Sequence, residues 1–286
     1  GPVSTQYPLL LAQTMAMEGK KLAGEVLPVS YASPHPYPGS ATGEEELVWS
    51  QAIEIKGATY VQPRFSRMEL APGDRVVVRE PLGEPRFTHT GFGSAERGRT
   101  GDGFFSSFIP GETAVVELWS SNPAGGWGVE IDAVGRGFRP EEIGDPPMGE
   151  AICGADDAEW APCYVDSEPV IYDKSRAVAR LLINSGGWAW WCTGWLAGWD
   201  GHLMTNQHCV ENQTQAYGMN VEFMAEGATC DTNCASPQGG LCPGSTAAVW
   251  GTFIHGSYDY DYAIIKLPVD PSDTYGWFRI RPGGPV

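Results

Sequence analysis

Short segments in which apolar and polar residues alternate occupy much of the chain between residues 45 and 140. LVWSQAIEI, ATYVQPRFSRMEL and RVVVREP show this alternation, and turn sequences such as APGD separate them. A period of two is typical of a strand that buries one face. The spacing of these segments, with no cysteine among them, favours an antiparallel β-sandwich over residues 45–142. We predict an accessory domain there, without a catalytic site.

A second set of strand-like segments follows the proline- and acid-rich stretch RPEEIGDPPMGE. The spacing in SRAVARLLIN suits a helix or a strand, and we predict a strand because Val178, Leu181 and Ile183 fit one. AWWCTGWLAG, the turn WDG and HLMTNQHC together predict a β-hairpin. The pattern therefore predicts an all-β chain with a second β domain over residues 143–286.

The first 44 residues show no sustained pattern of apolar positions. They include SYASPHPYPGSATG, a composition typical of a linker or of an extended arm on a domain surface. We therefore predict that residues 1–44 form an N-terminal arm or linker ahead of the first β domain.

The composition of the chain limits the classes of partner that it can bind. Hydrophobic residues make up 42 % of the 286 residues, which is typical of a globular protein. The net charge of −17 opposes binding to nucleic acid, whose phosphates require clustered lysine and arginine, and to anionic membrane surfaces. No apolar run approaches the ~20 residues of a membrane span. We therefore expect neither a nucleic acid nor a membrane as a partner.

All seven cysteines lie between residues 153 and 242. Cysteines clustered in one domain at irregular spacings are typical of a disulfide framework formed in an oxidising compartment, so we expect a secreted, extracellular protein. Because seven is an odd number, one thiol is either free or bonded outside this chain. Asn212-Gln213-Thr214 is an N-glycosylation sequon, which makes Asn212 a candidate glycosylation site.

Three segments of the second domain, CTGWLAG, HLMTNQHCV and DYDYAIIKLP, carry residue types that are used in catalysis. They contribute Cys192, His208, Cys209 and Asp261. We favour Asp261 over Asp259 because Asp261 directly precedes the apolar run of a predicted strand.

These segments resemble the first half of a trypsin-like serine peptidase domain, and the pattern over residues 152–280 is most similar to secreted lysyl endopeptidases. The resemblance implies the first β-barrel of a chymotrypsin-like fold for residues 143–286, and hydrolysis of peptide bonds in a protein or peptide substrate. It makes His208 the general base. It makes Asp261 the carboxylate that orients His208 and stabilises its protonated form.

The resemblance also implies how the cysteines pair. Cys192 pairs with Cys209, and Cys163 pairs with Cys230. Cys153 is left without a partner in this chain, because its counterpart in the family bonds a cysteine near the missing nucleophile segment.

Cys234 and Cys242 have no counterpart in the family and are close enough in sequence to bond each other. A metal site is the alternative use of the histidine and cysteine residues. The spacing H-x5-H-C is not typical of zinc, and Cys209 is better explained as a disulfide partner. We therefore expect no metal ion and no cofactor.

The nucleophile of the family is missing from this chain. No sequence of the form G-[DS]-S-G-[GS]-P follows Asp261. The segment RPGGPV matches the end of this motif, but Pro282 stands where the motif has its serine. We therefore expect a secreted serine endopeptidase of which this chain supplies the histidine and the aspartate, inactive by itself. Its expected partner is the serine-bearing C-terminal half, from the same precursor or as a second chain. The alternative is a catalytically inactive homologue that acts as an extracellular binding or structural protein.

Overall fold

The computed structural model describes residues 6–91, 103–144, 159–232, 234, 242, 244–280 and 283. Strands make up 44 % of the structure and helices 16 %, which confirms the predicted all-β class. The chain divides into two compact units: a central unit, Gly24–Arg139, and a composite unit, formed by Gly1–Ala23 together with Pro140–Val286. No helix within the described residues is long and apolar enough to cross a membrane.

The central unit consists of antiparallel strands. In chain order they are β1 (Lys21–Ala32, which begins in the composite unit), β2 (Glu46–Glu54), β3 (Tyr60–Glu69), β4 (Arg75–Arg79), β5 (Pro85–Thr90), β6 (Phe104–Phe105), β7 (Ile109–Pro110), β8 (Thr113–Ser120) and β9 (Gly128–Gly137). Strand β9 pairs with β1 on one side and β3 on the other, and β3 also pairs with β6 and β7. Strands β2, β8, β4 and β5 form a separate four-stranded sheet in that order.

Buried residues from both groups of strands form one hydrophobic cluster in the central unit. Ile53 and Leu118 come from the four-stranded sheet, and Phe65 and Val134 come from β3 and β9. Their side chains are completely inaccessible to solvent, and burial of such a side chain stabilises the fold by about 1.5–3 kcal/mol. The alternation predicted over residues 45–142 therefore reflects the inward and outward faces of these strands.

The described residues of the composite unit form seven further strands, all paired antiparallel. They are β10 (Val178–Ser185), β11 (Trp188–Leu196), β12 (His202–Thr205), β13 (Met219–Phe223), β14 (Ser245–Ala248), β15 (Thr252–Ser257) and β16 (Tyr262–Lys266). Their spatial order is β14, β13, β10, β11, β12, β16, β15. The predicted strand in SRAVARLLIN is confirmed as β10. The predicted hairpin is also confirmed, since Gly194 of β11 is opposite Thr205 of β12.

Six α-helices lie in the described residues: α1 (Gln6–Met17), α2 (Pro140–Ile143), α3 (Tyr164–Ser167), α4 (Pro169–Ser175), α5 (Gln213–Tyr217) and α6 (Ser272–Tyr275). Residues 1–44, which the sequence analysis predicts as an arm or linker, contain α1 and β1. Helix α1 buries Ala12, Met15 and Ala16, but Leu10 and Met17 on its other faces are exposed apolar residues. The helix is therefore apolar on several sides, and its sequence shows no amphipathic period.

The alternation of β1 is interrupted for a different reason. Its pairing with β9 shifts register between Pro28 and Tyr31. The alternation of inward-facing and outward-facing residues is therefore not continuous along the strand. Residues 24–44, which the sequence assigns to the arm, lie within the central unit. Cys153 and Pro282 lie outside the described residues, as does the second half of RPEEIGDPPMGE.

Candidate functional site

The loop that carries His208 is fixed by its neighbour in sequence. It follows β12, and the N–H groups of Cys209 and Val210 donate to the carbonyl of Asn206 at 3.2 and 3.3 Å. Cys209 is buried and forms a disulfide with Cys192 of β11. The indole N–H of Trp190 donates to the carbonyl of Cys209 at 3.0 Å. A covalent bond and a buried hydrogen bond therefore hold the residue next to His208 against the sheet.

His208 and Asp261 form a hydrogen-bonded pair. Nδ1 of His208 lies 2.8 Å from Oδ2 of Asp261, and the backbone N–H of His208 donates to Oδ1 at 3.0 Å. The amide of Asn206 donates to Oδ2 at 3.0 Å. Because the carboxylate accepts from Nδ1, we assign the neutral imidazole to the tautomer that carries its proton there. Nε2 is then the hydrogen-bond acceptor of the ring.

The same contacts set the charge state of Asp261. Burial acts to raise the pKa of this carboxyl, but the hydrogen bonds from the backbone and ring of His208 and from Asn206 outweigh burial. The pKa of Asp261 therefore lies below its ordinary value, and the carboxylate is ionised at neutral pH.

A turn aims the carboxylate of Asp261 at the imidazole. Asp261 stands just before β16 with a φ of 46°, in the left-handed region, and its N–H donates to the carbonyl of Tyr258 at 3.3 Å. Aspartate is one of the few non-glycine residues that adopt this conformation readily. Asp259 is exposed and makes no such contact. The structure therefore brings together His208 and Asp261, the two residues that the sequence paired.

The turn that ends helix α1 covers the other nitrogen of the His208 ring. The N–H of Gly19 donates to the carbonyl of Ala16 at 3.1 Å, and the N–H of Lys20 donates to that of Met15 at 2.9 Å. These bonds are the Schellman motif, which requires a left-handed residue such as Gly19, whose φ is 75°. A Cβ placed on Gly19 would lie 2.9 Å from Nε2 of His208.

Lys20 attaches this turn to the loop of His208. Its ammonium group forms an ion pair with Glu211 at 2.6 Å and lies 3.7 Å from Glu18. It also lies 5.3 Å from the centre of the Trp190 ring, which is a cation–π distance. The side chain of Lys20 is only 12 % exposed, so its charge is held in place rather than free in solvent.

A cavity of about 820 Å³ lies between the turn and the loop. Its described lining residues are Met17, Glu18, Lys20, Gln207, His208, Glu211, Tyr258 and Asp261. Of these, sequence reasoning found only His208 and Asp261. Gly19, which stands two residues after the apolar run that ends at Met17, was a usable sign of a helix end. Nothing in the sequence shows where that end packs, because the contact joins distant parts of the chain.

Three disulfides lie among the described residues, and they are the three pairings expected from the sequence: Cys163–Cys230, Cys192–Cys209 and Cys234–Cys242. Ligand atoms of Cys192, His208 and Cys209 lie within 4.8 Å of one another, a distance that would suit a metal ion. The two sulfur atoms are bonded to each other, however, and neither is a thiolate that could act as a ligand. Cys153 lies outside the described residues.

Comparison with known proteins does not support the class that the sequence suggested. No model of a known protein family matches the chain. The chain is similar to secreted RxLR effector protein 73 of Plasmopara viticola, with 42 % identity over 137 residues. The match covers 48 % of this chain and 33 % of that relative, so the chain spans about a third of the relative's length.

This similarity overturns the expected function. The predictions that the chain belongs to the trypsin-like serine peptidases, and that it is a serine endopeptidase or another hydrolase, are wrong, because the matched relative is an effector and not a peptidase. The motifs around His208 and Asp261 are short, and short motifs occur outside the families that they resemble. The catalytic roles assigned to these two residues stay predictions. The expected location is confirmed: the protein is extracellular, with three disulfides among its described residues and similarity to a secreted protein.

Proposed function

We propose that this chain is a secreted binding protein of the effector kind and not an enzyme, and that its cavity around His208 holds a basic side chain of a protein partner. The content of the cavity carries the proposal. None of its described lining residues is a serine, threonine or cysteine, whereas three are carboxylates. Gly19, and not a hydroxyl or thiol group, lies against Nε2 of His208. The similarity to a secreted effector supports the same class.

The charges of the cavity select the partner. Glu18, Glu211 and Asp261 supply three negative charges and Lys20 one positive charge, so these four side chains carry a net charge of −2. The whole chain carries −17. A field of this sign attracts lysine and arginine side chains and speeds their encounter with the cavity. We therefore propose that the partner presents a basic residue.

Two exposed side chains at the cavity suit a long basic residue. The ring of Tyr258 is 84 % exposed, and a guanidinium or ammonium group stacks favourably on such a ring. Met17 is 81 % exposed and offers a flexible apolar contact to the methylene carbons of lysine or arginine. The neighbouring Tyr260 is 83 % exposed, and tyrosine is a frequent anchor of protein interfaces.

We also propose how the strands of each unit are arranged. In the central unit, the shared core of the two groups of strands supports a β-sandwich. In the composite unit, β14 and β15 are consecutive in the chain but stand at opposite ends of the strand order. This is the arrangement that a sheet adopts when it closes on itself, so we propose a barrel. Its assignment to the chymotrypsin-like fold stays a prediction.

Calorimetric titration with the peptide tri-arginine tests the binding proposal. We expect saturable binding to the wild-type protein and weaker binding at higher ionic strength. Glu18→Gln should weaken binding about three-fold, the effect of one exposed ion pair. Glu18→Gln combined with Glu211→Gln should remove it. Asp166→Asn is the matched control, because Asp166 is an exposed carboxylate of the same unit that does not line the cavity.

The proposal is overturned if tri-arginine does not bind, or if Asp166→Asn weakens binding as much as Glu18→Gln does. The second result would mean that the peptide responds to overall charge and not to the cavity. Tri-glutamate should give no heat of binding in any of these proteins.

A further inference from the structure

Asn212 directly precedes helix α5 on the surface of the composite unit. Its backbone is extended, with φ −160° and ψ 175°, and its side chain caps the helix. Asn212 and Thr214, the first and third residues of the sequon, are both exposed. The chain is extracellular, and its matched relative is a secreted protein. The sequon therefore lies on an accessible surface in a protein of the compartment where N-glycans occur.

The capping contacts use only one end of the Asn212 amide. Oδ1 of Asn212 accepts a hydrogen bond from the backbone N–H of Gln215 at 3.2 Å. Oε1 of Gln215 in turn accepts from the backbone N–H of Glu211 at 2.6 Å, which makes a reciprocal pair like a capping box. Nδ2 of Asn212 has no hydrogen-bond partner among the described residues. The nitrogen that a glycan would use is thus free, while the oxygen that caps the helix is engaged.

We propose that Asn212 carries an N-linked glycan. The donor is a lipid-linked oligosaccharide: the bond between the first sugar carbon and the lipid pyrophosphate breaks, and a bond from that carbon to Nδ2 forms. Nδ2 loses one of its two protons, and this proton balances the charge of the lipid pyrophosphate, which leaves as an anion. The product is still an amide whose Oδ1 accepts the Gln215 hydrogen bond, so glycosylation and helix capping are compatible in the folded chain.

A glycan at Asn212 would restrict the directions from which a partner can approach the cavity. Asn212 directly follows Glu211, which lines the cavity and holds Lys20. A glycan on Nδ2 therefore projects from the surface next to that side of the cavity, and a partner of the cavity approaches from elsewhere. The glycan itself does not depend on the proposed binding function, since it rests on the sequon, the exposure and the cap.

The test is secretion of the full chain from a eukaryotic host, followed by treatment with peptide N-glycosidase. We expect the secreted wild type to lose the mass of one glycan, and we expect the treated peptide to contain aspartate at position 212. Thr214→Ala and Asn212→Asp should both abolish the mass loss, whereas Thr214→Ser, which keeps the sequon, should retain it. Asn212→Asp also keeps an oxygen that caps α5, so its secretion should match that of the wild type.

A secreted wild-type chain without a glycan at Asn212 overturns the proposal, as does a mass loss that persists in Thr214→Ala. If a variant is not secreted, the glycopeptide of the wild type still decides the matter, because peptide mass spectrometry locates the glycan directly.

Discussion

Gly19 lies against the imidazole of His208, so close that a methyl group on Gly19 would come within 2.9 Å of Nε2. The opposite nitrogen of the same ring is 2.8 Å from Asp261. The imidazole is therefore held between a carboxylate and the end of helix α1. This relationship defines the cavity that we propose as a binding site, because the turn at Gly19 forms one wall and the loop of His208 the other.

Gly19→Ala should destabilise the protein for two separable reasons. Alanine at a φ of 75° costs about 1–2 kcal/mol, and its methyl group also forces the His208 ring to move. Gly198→Ala is the matched control, since Gly198 has a φ of 88° but nothing within 4 Å of its Cβ position. Urea unfolding should show the larger loss of stability for Gly19→Ala. Adding His208→Ala should reduce the cost of Gly19→Ala to that of the control. Equal losses of stability in the two glycine variants would show that crowding against His208 does not contribute to the free energy of unfolding.

The Asp261 carboxylate should make stability depend on pH in a defined direction. Its pKa is lower in the folded chain than its ordinary value of 3.8, so the unfolded chain binds the proton more tightly. The contribution of Asp261 to stability is therefore present above pH 3.8 and is lost as the pH falls through the lower folded value. Asp261→Asn keeps the shape and tolerates the left-handed backbone but does not titrate.

Urea unfolding of the wild type and of Asp261→Asn over a series of pH values measures this contribution. We expect the wild type to be the more stable protein at neutral pH, and the difference to shrink as the solution becomes more acidic than pH 3.8. A difference that stays constant or grows on acidification would show that the hydrogen bonds to His208 and Asn206 do not favour the ionised form.

The three disulfides should contribute in the order of the loops that they close. Their sequence separations are 67, 17 and 8 residues for Cys163–Cys230, Cys192–Cys209 and Cys234–Cys242. Loop-closure entropy then assigns about 4, 3 and 2.5 kcal/mol to them. Unfolding of the three double cysteine-to-serine variants measures the order. Only loss of the second bond should also change the NMR signals of the His208 ring, because Cys209 adjoins His208.

The proposed binding function, which is not enzymatic, predicts that no serine of this chain reacts as an activated nucleophile. Incubation with a fluorophosphonate, which labels activated serines, should leave the mass of the 30.8 kDa chain unchanged, as measured by intact-mass spectrometry. An active serine peptidase treated in parallel serves as the positive control. A probe adduct on any serine of this chain would contradict a non-enzymatic role.

Local patterns in the sequence predicted local structure. The alternation in LVWSQAIEI corresponds to β2, SRAVARLLIN includes all but the last residue of β10, and the turn WDG joins β11 to β12. His208 and Asp261 were paired through the resemblance of the segments around them, in which His208 follows one predicted strand and Asp261 directly precedes another. Such features depend on neighbours in sequence, and a period of two records which face of a strand is buried.

The wall formed by Gly19 and Lys20 could not be predicted in this way. Helix α1 has exposed apolar residues on the side away from its buried face, so no period of 3.6 is visible. The contact of Gly19 with His208 joins residues far apart in the chain, and no local pattern encodes such a contact. The peptidase function was also predicted wrongly, because motifs around a histidine and an aspartate describe a local geometry that proteins of different function share.

The most direct test of the proposed binding site follows the His208 ring itself by NMR, in protein labelled with ¹⁵N and titrated with tri-arginine. We predict that the ring nitrogen signals of His208 shift and saturate, while those of His202, which does not line the cavity, stay in place. We also predict that the shift disappears when Glu18→Gln and Glu211→Gln are combined. Ring signals of His208 that do not move, or that move equally with tri-glutamate, would contradict a cavity built for a basic side chain.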